Sequence, residues 1–400
     1  MKPIIKWPGG KSREINQFEH LIPEYKRYVE PFFGGGALYF HLQPQAAAIN
    51  DISTSLTQYY TLIKNQDQAL FDLLMCYRNS FNNLIRVCSQ KQQELRNIFF
   101  QMQSGALSEA QLGKALDELI STMSEDINSG FSKNLLLSED EFEAHLHQMV
   151  EDKFIRTVAN YNKTPFSDAD LCENLTTGFT SGYYMYFRKI FNDIGLGRAK
   201  NLSEQYKAAN FYFIREYCYG SMFRYNAKGE FNIPYGGMSY NKKDMKTKID
   251  SMFNKEVKDL FSETAIYNCD FEDFIQQAQL TSDDFMFLDP PYDTDFSDYE
   301  GKSFDREDQK RLANVLKETP AKFILVIKNT EFIYSLYEKD FNILSFDKQY
   351  TYNVRSRNIR DVEHLIITNL PVECPASNYS SHLPQLYGRL SSAHPFPCLS

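Results

Sequence analysis

From residue 264 to 370, short apolar runs alternate with stretches of helical character, and this alternation decides the fold class. The runs are AIYNCDF, FMFLDPPY, KFILVIKN and EHLIITNL, with a helix expected over 305–318. Apolar runs of strand length separated by helices predict a mostly parallel α/β sheet. Open α/β sheets bind ligands outside the carboxyl ends of their strands. The residues that close each run are therefore where function is sought.

A glycine-rich piece precedes this region at 1–65. In RYVEPFFGGGALYFHL, a short strand pattern at Tyr28–Val29 is followed by a glycine turn at Gly34–Gly36 and a helix start. AAAIN (46–50) reads as a second strand leading to Asp51. A glycine loop after a strand lets backbone approach a nucleotide-like ligand, and an acid ending the next strand can bind ribose hydroxyls. The earlier KWPGGKS looks like a phosphate cradle, but Walker spacing would put a glycine at position 5, which is Ile5. Almost no chain stands before it to supply the leading strand.

Between these pieces, residues 66–210 carry apolar residues three and four apart and few glycines, a helical pattern. From 211 the chain turns aromatic and lysine-rich, and RYNAKGEFNIPYGG predicts a hairpin around Ala227-Lys228-Gly229. From 188 to 248 twelve Arg and Lys face five Asp and Glu, within a chain of formal charge -9. Basic residues interleaved with Tyr and Phe are the footprint of a nucleic-acid groove, which an acidic chain can still possess. The last thirty residues, 371–400, hold five prolines and six serines but only two charges, a tail expected to add little to the fold, disorder included.

Seven scattered cysteines, none in CxxC spacing, imply reduced thiols in a cytoplasm and argue against a zinc site. His145 and His147, two apart, are expected on an exposed helix face. No run of eighteen apolar residues exists, so no membrane association is expected, and MKPIIKWPGG lacks the apolar core of a signal peptide.

LDPPYD (288–293) is the most informative stretch, since it closes an apolar strand. The exocyclic amine of a nucleobase is a poor nucleophile because its lone pair is delocalised into the ring. A carboxylate at Asp289 accepting one N–H, with the Pro290 carbonyl accepting the other, would pull the nitrogen towards tetrahedral geometry. Pro290 has no N–H of its own, and Pro291 fixes the turn that follows. Tyr292 can stack on a base.

In the order KWPGGK, VEPFFGGGAL, NDIS, RYNAKGEFNIPYG and DPPY, the chain resembles the Dam-type (D12 class) N6-adenine-specific DNA methyltransferases over roughly 1–65 and 211–370. The resemblance implies a Rossmann-like methyltransferase sheet with a helical insertion and a DNA-recognition region containing a β-hairpin. It implies a catalytic domain in two parts, 1–65 and 261–370, around an insertion and target-recognition region at 66–260. It implies methyl transfer from S-adenosyl-L-methionine, without a metal, to a flipped adenine in double-stranded DNA. Trp7, Lys11, Phe33, Gly34, Gly36, Asp51, Asp270, Phe271 and Asp289 are the implied cofactor contacts. Asp289, Pro290, Pro291 and Tyr292 are the implied catalytic segment. Lys6, Tyr219, Met222, Arg224, Asn226 and Pro234 are the implied DNA contacts, with Tyr219 as the wedge in the base stack and Arg224 as a base reader.

Gly220 and Gly237 stand where many relatives carry Asn and Arg, which leaves the target word open. The sequence also leaves open the oligomeric state, a cognate restriction endonuclease, and whether 66–210 touches DNA or is scaffold. Three other activities share parts of this pattern. A cytosine-amino methyltransferase is disfavoured by the hairpin and motif order. A protein glutamine methyltransferase is disfavoured by Asp289 and the basic segment. A non-catalytic DNA-binding subunit would not need both Asp289 and Tyr292.

Overall fold

The computed structural model describes residues 1–132, 134–292, 304–349 and 361–371. The tail anticipated at 371–400 therefore lies, beyond Pro371, outside the described residues. Seven strands, β1 (Arg27–Glu30), β2 (Ala47–Asn50), β3 (Thr264–Tyr267), β4 (Asp284–Leu288), β5 (Lys322–Lys328), β6 (Asn342–Gln349) and β7 (Asp361–Thr368), lie in the order β3-β2-β1-β4-β5-β7-β6. The β2–β3, β1–β4 and β4–β5 pairs are parallel, and β7 runs antiparallel to both β5 and β6. This is the expected Rossmann-like α/β sheet. The expected apolar runs became β3, β4, β5 and β7, and the expected helix became Arg306–Glu318. Among the described strands the one not anticipated is β6, whose described side chains are half-buried apart from the exposed Asn342 and whose NILSFDKQ sequence mixes polar and apolar residues.

The chain divides into two compact units. Among the described residues the smaller comprises 12–32, 271–292, 304–349 and 361–371. Its core is the apolar interior of β4 and β5, with Phe285–Leu288 and Phe323–Ile327 almost fully buried. The Phe18 ring stacks on Phe287 with centroids 5.4 Å apart. β1 is pinned to the start of β4 by Arg27, whose guanidinium grips Asp284 at 2.9 and 2.8 Å and reaches the Ala278 carbonyl at 2.9 Å.

The larger unit holds the remaining described residues, 1–11 and 33–270 less Lys133. Most of it is helical, as the periodicity of 66–210 predicts: Gln68–Gln90, Gln92–Gln103, Glu109–Asn128, Glu139–Tyr161, Asp168–Gly195 and Glu204–Tyr217. The starts are written in the sequence. Asp67, Ser138, Ser167 and Ser203 each cap a helix by accepting from the amide three residues on, worth about 1 kcal/mol apiece. Helices Glu139–Tyr161 and Asp168–Gly195 approach so closely that a Cβ on Gly182 would stand 2.7 Å from the Leu146 Cα. The histidines of the first of these are half-buried, not exposed as expected. His147 pairs with Asp117, and the His145 ring packs edge-on against Tyr186.

Candidate functional site

In the larger unit β2 delivers the chain to Asp51, and two backbone amides hold its carboxylate. Gly34 N–H donates to Oδ2 at 2.8 Å and Ser53 N–H to Oδ1 at 2.9 Å. Asn50 and Cys269 lock the ends of β2 and β3 together, the Asn50 amide donating to and accepting from the Cys269 backbone at 3.0 Å each way. Asp270, half-buried, follows directly.

The glycine loop admits no side chain at two positions. Gly34 and Gly36 have φ of +50° and +64°. A Cβ at Gly34 would stand 2.7 Å from Trp7 Cδ1, and one at Gly36 would stand 2.4 Å from Phe33 Cζ. The Phe33 ring is buried, 4.9 Å from the Tyr60 ring and 5.3 Å from that of Tyr39, and so floors the loop. Trp7 covers Gly34 and Gly35, and Lys11, 1% exposed, donates to the Gly9 carbonyl at 3.2 Å. Trp7, Phe33, Gly34, Gly36 and Asp51 are thus assembled as one cradle. Phe271 belongs to the smaller unit, where its ring lies beneath the Arg311 guanidinium at 4.8 Å.

Behind Trp7 stands Arg215, fully buried. Its guanidinium lies 3.7 Å from the Phe223 centroid and 5.7 Å from that of Trp7. It donates to the Met222 carbonyl at 3.0 Å and to the Ser221 carbonyl. Nothing in the sequence marked this residue, because an arginine read alone is taken as a solvated charge.

The expected hairpin runs from Cys218 to Tyr235, narrower than the aromatic region that predicted it, since 211–217 completes a buried helix. Bridges join Cys218 to Tyr235 and Tyr225 to Phe231. Asn226 builds the turn: its Oδ1 accepts from the Lys228 and Glu230 amides at 2.9 and 3.0 Å. Tyr219, 46% exposed, Arg224 and Pro234 face outwards, and Met222 is half-buried. Arg224 Nε is steered by Asn232 Oδ1 at 2.8 Å.

The hairpin's back is strapped to helix Asp168–Gly195 by residues four apart. Tyr184 Oη and Arg188 donate to the Ile233 carbonyl at 2.9 and 3.1 Å, and Asn192 bonds the Phe231 backbone in both directions. A polar i, i+4, i+8 face on a predicted helix was the available signal for this strap.

Lys6 joins a charged group around Glu216, which is 3% exposed: Lys6 approaches at 3.6 Å and Lys248 at 2.8 Å, while Lys243 donates to the Glu216 carbonyl at 2.8 Å. Much of the local basic excess is likewise paired, Lys189 with Glu141, Arg198 with Glu230 and Lys242 with Glu173.

In the smaller unit β4 opens directly into Asp289, half-buried, and Pro290, buried. The Pro291 carbonyl accepts from Gln309 Nε2 at 3.0 Å, and the Tyr292 hydroxyl lies 3.1 Å from His364 Nε2. β4 lies between β1 and β5, parallel to both. Asp293 of the LDPPYD stretch lies outside the described residues.

Residues 7–107 and 148–352 match the D12 class N6 adenine-specific DNA methyltransferase family. The chain is 25% identical over 377 residues to the type II methyltransferase M.CviBI of Paramecium bursaria Chlorella virus NC1A, covering 92% of this chain and 100% of that protein. It is 24% identical over 381 residues to the type II methyltransferase M1.LlaDCHI of Lactococcus lactis subsp. cremoris, at 92% and 95% coverage. The type II methyltransferase M.MjaIII of Methanocaldococcus jannaschii is 25% identical over 389 residues, at 92% and 99%.

Proposed function

The chain belongs to the D12 class N6 adenine-specific DNA methyltransferases, and from that premise we propose that it modifies a specific site in double-stranded DNA with S-adenosyl-L-methionine as donor. What supports this reading most is topology. In the smaller unit Asp-Pro-Pro-Tyr leaves the carboxyl end of β4, beside the parallel strand β1, and open α/β folds bind their ligands outside such strand ends.

The cradle suits the donor: side chains are excluded at Gly34 and Gly36, and Asp51 is oriented by two amides. We assign Asp51 to ribose hydroxyls, Gly34 and Gly36 to close backbone approach, Trp7 to a flat wall and Lys11 to a carboxylate or carbonyl. Asp270 and Phe271 are assigned to the donor's adenine ring. When bound, the donor supplies an electrophilic methyl on a sulfonium.

Asp289 accepts one N–H of the extruded adenine's amine and the Pro290 carbonyl accepts the other, which frees the nitrogen lone pair. Such preorganised acceptors work by positioning and electrostatics. Tyr292 stacks on the base, which offsets part of the few kcal/mol that unstacking costs. The proton, acidic once the nitrogen is alkylated, leaves to solvent, so Asp289 need not be a strong base. Tyr219 wedges into the stack, and Arg224, Met222, Pro234 and Lys6 read or contact the duplex. Asn226 contributes by shaping the turn that carries Arg224. The strap of Tyr184, Arg188 and Asn192 supports a scaffold role for the helical region.

The relatives are named type II methyltransferases. On that likeness we place this enzyme as the modification partner of a restriction endonuclease. A cytoplasmic location accords with Cys76, Cys88, Cys172 and Cys218 being free. Among the described residues no helix is long and apolar enough to cross a membrane, and no group of three His, Cys, Asp or Glu is placed to hold a metal.

Product analysis tests the reaction. Unmethylated genomic DNA incubated with the protein and S-adenosyl-L-methionine, then digested to nucleosides, is expected to contain N6-methyladenine. N4-methylcytosine instead would overturn the reading. Sequencing the same DNA for methylated adenine would give the word read.

A further inference from the structure

The two prolines of the Asp-Pro-Pro-Tyr segment leave its turn short of backbone donors. Pro290 and Pro291 carry no amide hydrogen, so the turn lacks two of the donors by which loops usually attach to their surroundings. Side chains of the same unit supply the attachment. Gln309, fully buried on helix Arg306–Glu318, donates to the Pro291 carbonyl at 3.0 Å. Its Oε1 has no hydrogen-bond partner among the described residues, so this one carbonyl sets the amide's orientation.

The second tie is less expected. His364 lies in β7, in register with Lys328 of β5 and Phe346 of β6, and is fully buried. It is the polar exception beside Leu365, Ile366 and Ile367. Burying an imidazole among apolar groups is unfavourable unless hydrogen bonds compensate. Its Nε2 meets the Tyr292 hydroxyl at 3.1 Å, and its ring packs against Phe346 and, edge-on, against Tyr292.

We propose that His364 is a positioning residue of the methyl transfer, which holds the Tyr292 ring through its hydroxyl so that Asp-Pro-Pro-Tyr presents one fixed arrangement to the incoming base. The proposal rests on the reading of that segment as the amine acceptor. A tyrosine free to rotate about two side-chain bonds would have to be ordered each time a base entered. A hydroxyl anchored in the core has been ordered by folding, and that preorganisation is realised in the chemical step.

The test is single-turnover methyl transfer by the full chain, from radiolabelled S-adenosyl-L-methionine to unmethylated genomic DNA. His364→Phe and Tyr292→Phe are each expected to slow the step about tenfold or more. Apparent affinities for donor and DNA should stay within about threefold. The double variant should be no slower than the slower single, because both remove the same tie. His364→Gln, which returns a nitrogen or oxygen near the Nε2 position, should recover most of the rate.

A parental rate in folded His364→Phe, or single losses that multiply in the double, would overturn the proposal. Should circular dichroism show that His364→Phe does not fold, Tyr292→Phe decides alone, and a parental rate there is equally fatal. Asp289→Ala separates the two levels: retained transfer removes the underlying reading, whereas its loss with multiplying His364 and Tyr292 effects removes only the positioning role.

Discussion

The Arg215 guanidinium lies 3.7 Å from the centre of the Phe223 ring and donates to the carbonyl of Met222, the residue just before it. A buried cation thus holds the start of the hairpin by its backbone while a π face screens its charge. Arg215→Lys keeps the charge but loses the planar fork that reaches two carbonyls. The expected result is a folded protein whose DNA affinity falls about tenfold or more, the equivalent of one charged hydrogen bond. Fluorescence anisotropy with a labelled duplex measures it.

The cradle makes a sharper prediction. Alanine at Gly36 faces a left-handed backbone cost of about 1–2 kcal/mol, and its Cβ would also collide with the Phe33 ring. Gly36→Ala should lower affinity for S-adenosyl-L-methionine by more than about tenfold. Asp51→Asn should do likewise while leaving the thermal midpoint nearly unchanged. Titration calorimetry reads both.

The charged group around Glu216 carries a pH signature. Burial and the neighbouring Lys6 push the Lys243 amine down, to about 6 from 10.5. Tyr240 and Tyr217 face it, Glu216 opposes the shift, and Lys248 adds to it. Between those two values the unfolded chain binds the extra proton, so this group makes stability rise with pH, and its penalty is complete below about 6. Lys6 does not cancel the effect: burial opposes its charge most, but Glu216, Lys243, Tyr240 and Cys218 together outweigh it, so its contribution is lost only above the ordinary lysine range. Lys243→Met should therefore be more stable than the parent near pH 6, with the gap narrowing towards pH 10. Thermal melts across that range check it, and parallel curves would contradict it.

How much of this could be read from sequence is seen in particular residues. FMFL and FILVI were legible as β4 and β5 because continuous apolar runs of that length are buried strands. Gly34, Gly36 and Asp51 were legible because a tight backbone approach leaves a compositional mark. Arg215, Gln309 and His364 were not. Each is a polar side chain whose partners are far away in sequence or are backbone carbonyls, and local periodicity carries no information about either. β6 escaped because half-buried side chains give neither clean alternation nor a continuous apolar run.

The base of the smaller unit offers a stability test. Burial works against the Asp284 carboxylate, but the Arg27 guanidinium and the Thr281 amide outweigh it and hold its pKa below the ordinary value of 3.8. A depressed carboxylate contributes stability above its unfolded pKa and loses it as pH falls through the folded one. Arg27→Met should cost about 2–3 kcal/mol at neutral pH, less than a fully buried pair because Arg27 is partly exposed. The difference from the parent should shrink below pH 3.8. Urea unfolding at the two conditions measures it.

Asp289 carries the proposed chemistry. Tritium transfer from labelled S-adenosyl-L-methionine to duplex DNA should drop by about a hundredfold or more in Asp289→Ala, the scale of losing one preorganised group at a reacting centre. Donor and DNA should still bind the variant, as calorimetry and anisotropy would report. Transfer at the parental rate in that variant would contradict the assignment of this carboxylate as the acceptor of the target amine.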